Sequence, residues 1–117
     1  MRVLSTREGL VGQKTASGYV IDRIVPFVAL PSASALYRAV RVTNVRTGDS
    51  CIAIVLDVGP WNERDNEYVF GGERPAAESG ISKSGKGTNG AGIDLGEWVW
   101  DTLGMTDNGE VDWEFVS

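Results

Sequence analysis

Histidine is absent from all 117 residues. That removes Ser-His-Asp and Cys-His catalysis, together with any metal site that needs an imidazole. Cysteine is nearly absent too. Cys51 has no partner for an internal disulfide, and at the head of an apolar run it suits a small buried hydrophobe better than a nucleophile. Lysine and arginine are scattered and the net charge is −5, so nucleic acid, which needs clustered cations, is not expected as a partner. No apolar stretch is long enough to span a membrane, and residues 1–8 contain no hydrophobic leader core. The compartment stays open, with the cell envelope expected if the chain is exported. No internal repeat and no second domain are visible, so residues 1–117 are read as one domain, expected to be a monomer, with no cofactor and no metal.

What is present is mostly β. Ile52-Ala53-Ile54-Val55-Leu56 is an unbroken apolar run that reads as a strand buried on both faces, ending at Asp57 and the turn Gly59-Pro60. Before it, Ala39-Val40-Arg41-Val42-Thr43-Asn44-Val45 alternates as a half-buried strand does, and Arg46-Thr47-Gly48-Asp49 supplies the turn of a hairpin over residues 39–57. Residues 19–28 are rich in β-branched and aromatic residues, with Pro26 marking an edge or a bend. Residues 97–103 predict a short helix ended by Gly104, burying Leu95, Val99 and Leu103. Val111, Trp113 and Phe115 alternate with acids in a last strand. Residues 62–92 form a long, polar, Gly-rich connection, expected to be a mobile groove loop anchored by Tyr68-Val69-Phe70. Within it Gly80-Ile81-Ser82-Lys83-Ser84-Gly85-Lys86-Gly87 nearly spells a phosphate loop. It lacks the closing Ser or Thr and the flanking strand and helix. Lys83 and Lys86 suit a soluble loop or a contact to an acidic ligand.

Two acids stand out. Asp57 leaves an apolar strand, where loss of water favours the protonated form that a general acid needs. Asp94 lies between Ile93 and Leu95, nearer the polar loop, where it is expected to stay ionised; the two roles are interchangeable. Structural uses compete: Asp57 could accept turn amides around Gly59, and Asp94 could cap the helix at Glu97. Trp61, Tyr68, Trp98 and Trp100 could offer faces to a sugar, with one of the last pair turned outward. Thr15, Tyr19 and Asn89 are further candidates for substrate binding.

Thr15-Ala16-Ser17-Gly18, Val28-Ala29-Leu30-Pro31, Val40-Arg41-Val42-Thr43-Asn44, Asp57-Val58-Gly59-Pro60, Ile93-Asp94-Leu95 and Leu103-Gly104-Met105 follow one another in an order that resembles rare lipoprotein A. The resemblance covers nearly the whole chain. It implies a six-stranded double-psi β-barrel, mainly β with one or two short helices, of the kind shared with barwin and expansins. It also implies a groove for a polysaccharide, peptidoglycan above all, and lytic transglycosylase cleavage with Asp57 and Asp94 at the family's acidic positions. A non-catalytic, expansin-like glycan-binding module and a structural or protein-interaction domain are the alternatives. The chain departs from the pattern in three places. Phe27-Val28-Ala29 lacks the family's histidine, Leu10-Val11-Gly12-Gln13 replaces its first-strand aromatics, and the connection 62–92 is longer.

Overall fold

A computed structural model describes residues 1–116. Six strands, β1 (Arg2–Arg7), β2 (Phe27–Leu30), β3 (Ala39–Asn44), β4 (Ser50–Val58), β5 (Ile93–Leu95) and β6 (Gly109–Phe115), close into a barrel in the order β1-β5-β2-β4-β3-β6. Two pairs, β1 with β5 and β2 with β4, run parallel; the other four are antiparallel. Two short helices, α1 (Asn66–Val69) and α2 (Glu97–Thr102), decorate it. The barrel is filled by inward residues taken at every second position, among them Val3, Val40, Val42, Ala53, Val55, Ile93, Leu95, Val111 and Trp113.

The hairpin of residues 39–57 is present, with Val40 opposite Ala53 and Val42 opposite Cys51. So is the helix, which buries Val99 and Leu103 and is followed by Gly104 at a φ of 66°. Trp100 is buried and Trp98 is half-buried. The apolar segment 19–28 is strand only from Phe27 onward. Tyr19 instead turns its ring edge onto Phe27 with centroids 5.3 Å apart.

One expectation needs correction. The run 52–56 is not covered on both faces: Ala53 and Val55 point inward, whereas Ile52 is 46% exposed and Ile54 and Leu56 are half-exposed. A barrel has one interior, and no helix lies over the whole outer face of β4. The connection 62–92 is attached to the barrel at several points. Tyr68 and Val69 anchor it as expected, but it also carries α1 and a 3-10 turn over Ala76–Ser79, and is tied down by buried Asp65, which accepts from the Ala76 amide at 2.7 Å. Phe70 stays at the surface, stacked on Phe115 at 5.3 Å.

Close packing fixes where α2 begins. Gly96, before its first residue, sits on Phe27: a Cβ there would collide with the ring edge, 2.6 Å from Phe27 Cδ1, and lie 2.9 Å from its carbonyl oxygen. Gly96→Ala should therefore lower stability by about 1–3 kcal/mol, because the ring has no free space to move into. Urea unfolding measures it; an unchanged midpoint would mean that Phe27 is not held as described.

Candidate functional site: a carboxylate groove on the barrel wall

Ala29 is the register partner of both Asp57 on β4 and Asp94 on β5, and Asp94 is in turn opposite Thr6 on β1. Thr6, Asp94, Ala29 and Asp57 thus form one row across four neighbouring strands. The row faces outward, since Ile93 and Leu95 on either side of Asp94 fill the interior. Strand spacing puts the two aspartate Cα atoms roughly 10 Å apart, with the methyl of buried Ala29 as the floor between them.

Strict alternation along β4 would have sent Asp57 inward, on the side of Ala53 and Val55. A β-bulge prevents this. Val28 pairs with Val55 but Ala29 pairs with Asp57, so Leu56 is the extra residue and Asp57 is turned to the outer face. Its Oδ1 accepts the amides of Ala16 and Val58, both at 2.9 Å. The Thr15–Ser17 turn is thereby laid along one side of the groove. The Gly59 turn lies against the other aspartate, where a Cβ would come within 3.8 Å of Asp94 Oδ2.

A third carboxyl joins them. Glu8, just past β1, donates its amide to the Leu95 carbonyl at 2.9 Å and is partly buried. Burial pushes its pKa up to about 9, helped by hydrogen bonding to Asp57 and by the charges of Asp57 and Asp94. Its Oε2 is enclosed and has no hydrogen-bond partner. Asp94 is also raised, to about 6, chiefly by burial and also by the Asp57 charge, with the Thr6 hydroxyl bond opposing. At neutral pH Glu8 therefore holds its proton, while Asp94 is mostly ionised and takes one as pH falls through about 6. Asp94 does not cap α2; Gly96 holds that position.

The acids pointed to from sequence meet, but not every candidate around them does. Trp61 is 44% exposed, and its indole N–H donates to Asn89 at 2.9 Å, so these two form one unit. Trp61 has a φ of 69°, a left-handed conformation that is uncommon outside glycine and holds the ring out from the turn. Thr15 is buried and bonded to Ser17 at 2.9 Å, so it shapes the turn and offers no free hydroxyl. Tyr19 spends its hydroxyl on Asp22 at 2.7 Å. Tyr68 is in the core: its hydroxyl donates to Gly92 and accepts from the Trp113 indole, so a sugar-binding role for it is withdrawn. Glu8 was missed, because Arg7-Glu8-Gly9 carries no pattern that ties it to residues forty-nine and eighty-six places away. Among the described residues, no three His, Cys, Asp or Glu side chains are placed to hold a metal ion, and no helix is long and apolar enough to cross a membrane.

Solved structures with this architecture span the whole chain. Cerato-platanin 3 from M. perniciosa superposes with a TM-score of 0.59 at 12% identity, covering 100% of this chain and 95% of that one. The Streptomyces papain inhibitor gives 0.58 at 18%, covering 100% and 94%. A mutant Clavibacter michiganensis expansin in complex with cellohexaose gives 0.57 at 15%, where this chain covers 51% of the expansin chain. All three are double-psi β-barrels, and at these identities the likeness is one of fold. No curated protein matches the sequence. One family model spans residues 1–114, and the chain belongs to that family, the Domain of unknown function (DUF8814).

Proposed function

We propose that the groove binds a cell-wall polysaccharide and cleaves it in the lytic manner, with Asp94 as the acid/base. The observation that carries this reading is the row in which Asp57 and Asp94 flank Ala29, beside a solvent-facing tryptophan. In a lytic reaction no water is added. The sugar's own C6 hydroxyl attacks the anomeric carbon as the bond to the glycosidic oxygen breaks. The leaving oxygen takes a proton from Asp94, and Asp94 takes one back from the C6 hydroxyl. A carboxyl whose pKa is raised to about 6 is suited to both halves. Asp57, fixed by two amides, stands beside the developing positive charge. The resemblance to rare lipoprotein A supports peptidoglycan as the strand, and the cellohexaose complex of the expansin neighbour supports a polysaccharide in general.

One observation favours the second reading, glycan binding without cleavage. Burial, with the charges of Asp57 and Asp94 nearby, holds Glu8 protonated, which sets a neutral carboxyl beside the two aspartates that a lytic step does not need. Incubation with purified peptidoglycan followed by mass spectrometry separates the two. Anhydro-sugar ends are the expected product; retention on the glycan without such ends would establish binding alone, and neither would overturn both readings. In either case Trp61→Ala should weaken glycan retention roughly 5- to 30-fold, the equivalent of about 1–2 kcal/mol of lost ring contact. Unchanged retention would remove Trp61 from the groove.

A further inference from the structure

Beyond the Gly59 turn the wall of the groove continues into a second cleft of about 490 Å³, lined by Trp61, Asn62, Glu63, Arg64, Lys83 and Lys86. Its size is that of an ordinary small-ligand site. The cleft is built, because its two walls are bonded to each other. The Lys83 amide donates to Asn62 Oδ1 at 2.9 Å, and residues 82–86 form a tight turn closed by the Ser82 amide on the Lys86 carbonyl at 2.7 Å.

Its electrostatics run opposite to those of the carboxylate groove. Lys83 is already engaged, 3.1 Å from Glu67 and 3.7 Å from Asp65. Arg64 and Lys86 form no ion pair among the described residues, and only Glu63 opposes them within the lining. Asn62 is 5% exposed, and its Nδ2 is an enclosed amide donor with no acceptor. Trp61 belongs to the cleft and lies two residues from Gly59, which touches the Asp94 side; two residues span at most about 7 Å.

We propose that this cleft is a subsite for a carboxylate carried by the glycan, seated by Arg64 and Lys86, while Trp61 lies under the adjoining ring. The inference rests on the reading of the groove as glycan-binding and specifies its substrate class as an acidic glycan. The carboxylate belongs to a sugar or to a peptide attached to it. Both are acceptors of the same chemistry.

Titration calorimetry at low salt with four probes tests this: tetragalacturonate, a disaccharide muropeptide with free carboxylates, the same muropeptide amidated, and neutral chitotetraose. The double variant Arg64→Gln/Lys86→Gln changes two exposed side chains, and a thermal melt checks that it stays folded. It should weaken tetragalacturonate or the free muropeptide roughly tenfold or more, while chitotetraose is unaffected. Loss confined to tetragalacturonate assigns the carboxylate to the sugar; loss confined to the free muropeptide, absent from its amidated form, assigns it to the peptide. Equal losses for charged and neutral probes, or none for either charged probe, would overturn the subsite and leave the groove reading standing. No binding of any probe by the unaltered protein would overturn both.

Discussion

Glu8→Gln should make the protein more stable at pH 9 by about 3 kcal/mol and leave it nearly unchanged at pH 4. Folding raises the Glu8 pKa from its ordinary 4.5 to about 9, mainly through burial and then through the hydrogen bond to Asp57. Between those values the native state holds a proton that the unfolded chain has released. Stability therefore falls as pH rises from about 4.5 to about 9 and levels off above that. The full shift corresponds to about 6 kcal/mol, and solvent screening of a partly exposed group roughly halves it. Asp94 adds a smaller fall in the same direction, from its ordinary 3.8 to about 6. Glutamine keeps the shape and a donor for Asp57 without a proton to lose. Urea unfolding at pH 4, 6.5 and 9 measures the difference. A wild-type stability that is flat from pH 5 to 9 would show that Glu8 does not share a proton with Asp57.

Asp94→Asn carries the largest expected effect on chemistry, a loss of roughly 10²–10⁴-fold in the rate of anhydro-end formation. Asparagine keeps an oxygen for the Thr6 hydroxyl but can neither give nor take the proton. Binding of the glycan should change by less than about threefold, since Asp94 contributes chemistry rather than contact area. The unaltered protein should cleave less well as pH rises above about 6, where the acid form of Asp94 is lost. Asp57→Asn should cost less than Asp94→Asn. If the order is reversed, the acid is Asp57, and if neither matters, the groove does not cleave.

Much of the barrel is legible in the chain, and for a simple reason. Val40 and Val42, or Val111 and Trp113, fill the interior while Arg41, Asp112 and Glu114 face water, so one half-buried surface writes a period of two. The site is legible only in part. Asp57 is noticed because it ends an apolar run, yet its outward direction depends on Leu56 being skipped in the β2–β4 pairing. A bulge leaves no mark in hydropathy when the skipped residue is itself apolar. Glu8 is harder still, since its pKa comes from enclosure between segments far apart in sequence. Tyr68 misled for the opposite reason. An aromatic in a polar loop looks like an exposed platform, but this one sends its hydroxyl through the core to Gly92 and Trp113.

The closed ring of strands also limits how anything else can take hold of this molecule. In an open sheet the outermost strand shows a line of unpaired amides and carbonyls, and a foreign peptide can extend it as one more strand. Here β1 is held by β5 and β6, and every other strand likewise has two neighbours. Main-chain pairing on the barrel is used up. A partner must instead read side chains and turns, so selectivity falls to protruding groups such as Trp61, Arg64 and Lys86, which can be exchanged without unpicking the barrel.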